Sequence, residues 1–349
     1  MKKTLLAVAI PALFATSAQA VELYKTDAGS VDFYGQLRTE LKKSEDADAT
    51  LGAGSSRAGV SAKYDVNEDL YVHGKYEFGT PGGEYGESLT GRLHIAGFGG
   101  SWGKVSLGQQ WTLQDDFYGA DWSYFYGGSV IRYTPISGGV HSNLIKYNYD
   151  ADAFSIAASY GLDENDSAPE LFELFATATA GNFDFIAGVA SESGFTSVDN
   201  PDYDEDDDNS VESFTLGLDT MAYTASVGYT MDKVYLQGTY YYSDIDLGGL
   251  DISENAFGVA ATYAWADNAT AYAGYEYVTY DVETLDEFDS TIIYVGTDYH
   301  LNDWSRLYVE YGYADGETLG YTNKDSENSV GIETADGESF YAVGYRVYW

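Results

Sequence analysis

The feature that most constrains this chain is alternation with period two, repeated in segment after segment without a continuous apolar run. Near the C-terminus Tyr341, Val343, Tyr345, Val347 and Trp349 fall on one face of an extended segment, and Ala342, Gly344, Arg346 and Tyr348 on the other. Leu307, Val309, Tyr311 and Tyr313 alternate with Arg306, Glu310 and Gly312. Ala58, Val60, Ala62 and Tyr64 alternate with Arg57, Gly59, Ser61 and Lys63. Beyond residue 20 there is no run of about eighteen apolar residues, so no transmembrane helix is predicted. The apolar stripe is either the core of a soluble sandwich or the lipid face of a membrane barrel, and period alone does not separate the two.

The spacing of the breaks does. Short turn signals occur at Asn67-Glu68-Asp69, Gly99-Gly100, Asp150-Ala151-Asp152, Gly181-Asn182, Met231-Asp232-Lys233, Asp267-Asn268 and Leu301-Asn302-Asp303. Longer polar or glycine-rich stretches lie near residues 43–54, 80–88, 112–138, 162–170, 193–210, 244–253, 281–289 and 314–338. Short and long alternate strictly, so seven plus eight connections join sixteen strands, with both termini on the short-turn side. A sandwich has no reason to sort connections by length, whereas an up-and-down barrel inserted from one side does. An even number also permits closure, which removes the edges lipid cannot solvate. Residues 211–230 are long for one strand. A turn within Leu218 to Ala222 would make seventeen, and we read one long or bent strand.

Composition agrees. The 349 residues carry 56 acidic against 17 basic side chains, a formal charge of −39, which repels nucleic acid. There is no Cys, hence no disulfide framework or thiolate site. Tyr240-Tyr241-Tyr242, Tyr275 with Tyr277, and Tyr345 with Tyr348-Trp349 suit a headgroup belt. Residues 1–20 read as a secretory signal: Lys2 and Lys3, an apolar stretch from Leu5 to Ala15, then Ala18-Gln19-Ala20. A mature chain of residues 21–349, one barrel domain, loses those two lysines and carries 15 − 56 = −41.

Several patches then resemble one family. Val31-Asp32-Phe33-Tyr34-Gly35 is similar to the opening strand of the trimeric general porins of Gram-negative outer membranes, and Ser56-Arg57-Ala58-Gly59-Val60 to their second. Leu70 to Phe78, with Gly74 and Glu77, resembles the third, and Thr90-Gly91-Arg92-Leu93 the fourth. Gly108 to Gly128, with Asp116, Gly119 and Gly127-Gly128, resembles the constriction loop.

The resemblance implies an all-β fold: a closed 16-stranded antiparallel transmembrane barrel whose third long loop folds inward. It also implies a homotrimer among outer-membrane lipid and lipopolysaccharide, passing small hydrophilic solutes, with basic side chains facing loop acids across the pore. Arg57 and Arg92 match the basic wall, with Arg38 placed beside them. Glu77 matches a wall acid, and Asp116 with its neighbours Asp115 and Asp121 the loop acids. Trp349 stands where the family's C-terminal assembly signal usually has Phe. Gln36 and His141 stand where Lys and Arg are common, which thins the basic wall. Alternation independently puts Arg57, Arg92, Lys75, Glu77, Arg38 and Glu40 opposite the apolar stripe. An Arg on the lipid face at mid-membrane costs about 2–4 kcal/mol.

The loop is rich in rings. Trp111, Trp122, Tyr124 and Tyr126 offer surfaces on which sugars stack, the basis of an oligosaccharide-preferring alternative; the plainer reading is that they pack the loop onto the wall.

Enzyme readings fail on geometry. His141 and Ser142 are adjacent on a strand and point to opposite faces, and His73, His94 and His300 have no companion at ligand spacing. No cofactor or structural metal is implied. The acidic run 202–208 lacks the Gly and the closing Glu of a calcium loop, and reads as a solvated loop. The expected function is a cation-preferring passive diffusion channel. The rival from another class is an exported β-rich binding or adhesion protein.

Overall fold

The computed structural model describes residues 20–45, 48–80, 88–128, 139–164, 169–199, 213–283, 287–318 and 333–349. Its strands are β1 Val21–Thr26, β2 Gly29–Ser44, β3 Thr50–Gly52, β4 Arg57–Asn67, β5 Leu70–Gly79, β6 Thr90–Gly100, β7 Gly103–Trp111, β8 Val140–Asp150 and β9 Phe154–Gly161. They continue as β10 Glu170–Ala180, β11 Phe183–Asp199, β12 Ser213–Met231, β13 Val234–Leu247, β14 Leu250–Ala266, β15 Ala269–Val282, β16 Phe288–Asn302, β17 Ser305–Thr318 and β18 Glu333–Tyr348. Among the described residues a single short helix, α1 Leu113–Asp116, follows β7.

Two of the eighteen strands only lengthen others. β1 pairs with residues 29–33 of β2, on the edge that β18 occupies from residue 36 onward. β3 pairs with residues 40–42 of β2, in line with β4 on residues 29–36. The remaining sixteen form one antiparallel ring, closed by β18 on β2 from Phe340↔Ser44 to Tyr348↔Gln36.

The wall is one residue thick, so its two faces separate by alternation. On β13, Tyr235, Gln237, Thr239, Tyr241, Ser243 and Ile245 are buried, while Leu236 and Tyr240 are exposed. Leu307, Val309, Tyr341, Val343 and Tyr345 are likewise exposed, and Arg306, Glu310 and Arg346 buried. The apolar stripes therefore lie on the outside of the ring, where hydrocarbon wets them, and the polar stripes line the interior.

Most breaks fall where the spacing puts them, with three differences. The stretch 244–253 is not a long loop: Leu247 pairs with Leu250 across Gly248-Gly249, both at positive φ (62° and 91°), the backbone of a two-residue hairpin. Gly99 and Gly100 close β6, and the turn is Ser101-Trp102. As expected, Leu218 to Ala222 contains no turn: β12 is one long strand, paired continuously with β11 from Ser213 to Tyr229. The N-terminal hairpin of β1 is an addition the alternation did not signal. Residues 1–19, the acidic run 202–208, and parts of the long stretches near 43–54, 80–88, 112–138, 162–170, 193–210, 281–289 and 314–338 lie outside the described residues.

Glycines on the inner face let rings lie flat on the wall. Gly274 faces Tyr294 and Gly296 faces Tyr272, and a Cβ at either glycine would enter the opposing ring. At the closure, Gly35 exchanges backbone hydrogen bonds with Trp349 (3.0 and 3.2 Å), and the indole lies over the glycine and beside Phe33. Gly35→Ala should therefore destabilise the barrel by about 1–3 kcal/mol, and Trp349→Phe should restore part of it. Unboiled gel mobility after stepwise heating reads both. A Gly35→Ala chain converting at the wild-type temperature would mean the indole simply moves aside.

Candidate functional site

Beyond β7 the chain turns at Thr112, whose side chain accepts from the Asp115 N–H (3.4 Å) and caps α1. From there to Gly128 the loop is held through its main chain by inner-face side chains. Glu173 on β10 accepts from the N–H groups of Leu113 and Gln114, both at 2.7 Å, and from the Ser159 hydroxyl. Gly119 and Ala120 donate to Tyr241 (2.8 Å) and Thr239 (2.9 Å) on β13, and Trp122 donates to Tyr294 on β16 (2.9 Å). Glu310 on β17 accepts from Tyr124, Phe125 and Tyr126 (2.6, 3.2 and 2.8 Å) and from the Tyr272 hydroxyl (2.9 Å). Glu276 on β15 accepts from Gly128. Three buried carboxylates thus take six backbone N–H donors, bonds about twice as strong as neutral ones. The Tyr272 and Tyr294 hydroxyls in this set belong to rings laid flat over glycine.

The loop's rings finish the seating. Phe117 stacks on Phe175 (5.6 Å), Trp122 meets Tyr235 edge-on (5.7 Å), Tyr124 packs on Tyr308 (4.7 Å), Phe125 stacks on Tyr308 (5.4 Å) and Tyr126 stacks on Phe340 (5.2 Å). Burial pushes the Tyr124 phenol up, so it stays neutral and accepts from Arg306 (2.6 Å).

On the wall beside β7, Glu77 is a hub. It pairs with Arg92, with Arg57 at 3.7 Å and with Lys75 at 4.0 Å, and accepts from the Tyr34 hydroxyl at 3.0 Å. Arg92 also lies over the Trp111 ring, 4.9 Å from its centroid. Register explains the convergence: Gly59 faces Glu77 and Ser61 faces Lys75, so the small residues of β4 leave room for the longer side chains. Arg38 is not in that group. It faces Arg346 across β18 and approaches Glu40 at 4.0 Å.

The loop acids divide as well. Asp116 is exposed and pairs with Lys146 (2.5 Å), which also donates to the Trp111 carbonyl. Asp115 is half-buried. Asp121 is buried and accepts from the Ser123 N–H (2.8 Å), shaping the loop. Of the residues at variant positions, Gln36 donates to the Ser55 carbonyl. His141 is buried between the Asn143 N–H and the Pro169 carbonyl, while Ser142 is exposed on the other face. Lys146, Glu173, Glu276 and Glu310 carry no local signature, because each is one inward polar residue in an alternating strand.

A family model described as Gram-negative porin matches residues 6–319. The chain is similar to OmpT of Vibrio cholerae, with 41% identity and a TM-score of 0.86 over 95% of this chain and all of that one. The trimer form of OmpT gives 41% identity and 0.84 over 93% of this chain and all of that one. Among curated sequences, the major outer membrane protein of Pasteurella multocida is 26% identical over 95% of this chain and 99% of its own length. A closed sixteen-stranded ring with greasy stripes outside, a polar interior and these relatives leaves one assignment: the chain belongs to the Gram-negative porin family and is an outer-membrane channel.

Proposed function

We propose that residues 112–128 fold into the lumen and narrow a water-filled path for passive diffusion of ions and small hydrophilic solutes, with cations preferred over anions. The observation that carries this reading is the anchoring of the loop, residue after residue, on side chains of β10, β13, β15, β16 and β17 that face away from the lipid side. Asp116 and the Glu77 group then line the narrowed stretch. The basic side chains there are only partly balanced: Arg57, Arg92 and Lys75 share the single carboxylate of Glu77, while Lys146 has Asp116. Against that local excess of positive charge stands the chain's formal charge of −39, which sets the longer-range field along the path and concentrates cations. The trimer form of OmpT supports a homotrimer, which the exposed apolar bands would seat among lipid and lipopolysaccharide.

Reversal potentials across planar bilayers in a salt gradient test the preference, and an anion-selective sign would overturn it. Asp116→Asn with Asp121→Asn should reduce cation selectivity, most of the change coming from exposed Asp116. Unchanged selectivity would place both carboxylates off the path. The oligosaccharide reading has less support, because Trp122, Tyr124 and Tyr126 pack their rings against Tyr235, Tyr308 and Phe340.

A further inference from the structure

Three arginines stand side by side on three adjacent strands. Arg306 on β17 faces Arg346 on β18, which faces Arg38 on β2. Like charges directly opposite in a sheet repel, and here the repulsion is little screened: Arg306 is 3% and Arg346 6% exposed. A guanidinium cannot relieve it by losing its proton.

The available carboxylates do not balance the row. Glu40 lies 4.0 Å from Arg38 but is shared with Lys42 at 3.6 Å and the Tyr308 hydroxyl at 2.8 Å. Asp298 lies 3.7 Å from Arg306 but is shared with His300 at 3.1 Å. Arg346, at the centre, has no carboxylate within 4.0 Å among the described residues. It has the Tyr308 hydroxyl beside it and the rings of Tyr308, Tyr124 and Tyr348 at 5.2, 5.6 and 5.9 Å. Among the described residues, the Nε–H groups of all three arginines and the buried Tyr348 hydroxyl have no hydrogen-bond partner. Three of those four groups are obligate donors, and the fourth can donate too. Unpaired buried donors around an uncompensated cation are the complement of an anion, and the planar guanidinium fork matches an oxyanion better than a spherical halide.

We propose that Arg38, Arg306, Arg346 and Tyr348 hold a small oxyanion of the phosphate class between the 112–128 loop and the barrel wall. It would bridge the three guanidiniums, with Tyr124, which packs on Tyr308 and accepts from Arg306, closing the site from the loop side. The site is too enclosed for a lipid headgroup, so the ligand comes from solution. This inference does not rest on the permeation reading, and an anion held here is a structural guest rather than a permeant.

The test is calorimetric titration of inorganic phosphate into the full-length folded protein in detergent micelles, in an anion-poor buffer at fixed ionic strength. We expect saturable binding of one phosphate per chain, and little displacement by chloride at equal concentration. Arg346→Met should weaken binding by about tenfold or more, the loss of one charge-assisted pair. Tyr348→Phe, which removes only a hydroxyl, should weaken it less while the chain remains heat-modifiable on gels. Lys63→Met, which removes a basic side chain outside the row, should leave it unchanged. Absence of saturable binding, equal binding in Tyr348→Phe and Arg346→Met as in wild type, or displacement by equal chloride would each overturn the proposal. Reversal potentials are a separate measurement, so failure here leaves the selectivity reading standing.

Discussion

Glu310→Ala is expected to release residues 124–126 of the 112–128 loop and destabilise the protein by about 3–5 kcal/mol. This carboxylate gathers three consecutive backbone N–H groups and the Tyr272 hydroxyl. Its loss leaves four donors without an acceptor at the one place where Tyr124, Phe125 and Tyr126 are all seated. Single-channel conductance should rise and become noisier, because residues 124–126 then lose their backbone acceptor and the loop is left to Glu173, Glu276 and the neutral hydroxyls of Tyr241, Thr239 and Tyr294. Glu310→Gln should lie between, since an amide oxygen still accepts while its NH2 opposes the loop's own donors. A variant with wild-type conductance and wild-type resistance to heating on unboiled gels would show that ring packing alone seats the loop. Glu173→Gln with Glu276→Gln would then be the deciding variant.

Glu77→Gln should shift selectivity toward anions more than any other single wall change. The hub holds one buried carboxylate against Arg57, Arg92 and Lys75, so its formal charge goes from +2 to +3. One charge acts on a monovalent ion about 4 Å away in water with about 1 kcal/mol, roughly fivefold in local cation occupancy. Stability should fall by about 3 kcal/mol, at the low end for breaking a buried charged group, because Arg57 and Lys75 reach water. Arg92→Met in the same chain should recover much of both effects, so the double-mutant cycle measures the coupling. Additive effects of the two changes would mean that Glu77 and Arg92 act independently.

The sixteen strands were legible because closure and alternation leave marks on every segment. Their lengths were less so, and the reason is physical. A tilted strand needs only about 9–11 residues to cross the hydrocarbon, whereas β11 spans 17 residues and β12 19. Above the membrane the outward residues face water, as with Asp244 and Asp246, and the apolar stripe that marks a strand disappears. That is why the Gly248-Gly249 hairpin read as a long acidic loop. At the site, Arg57, Arg92 and Glu77 were recognisable by resemblance to a family. The anchors were not, because Glu310 meets the loop across 184–186 residues of chain. Nor was the arginine row, whose members are aligned by register rather than by sequence spacing.

The hydrogen bonds by which Glu173, Glu276 and Glu310 hold the loop go to its main-chain N–H groups, which nearly every amino acid supplies. The mount and the cargo are thereby uncoupled: side chains along residues 112–128 that point into water can be exchanged without loosening the grip beneath them. A barrel of this kind can retune what it admits while its scaffold stays untouched.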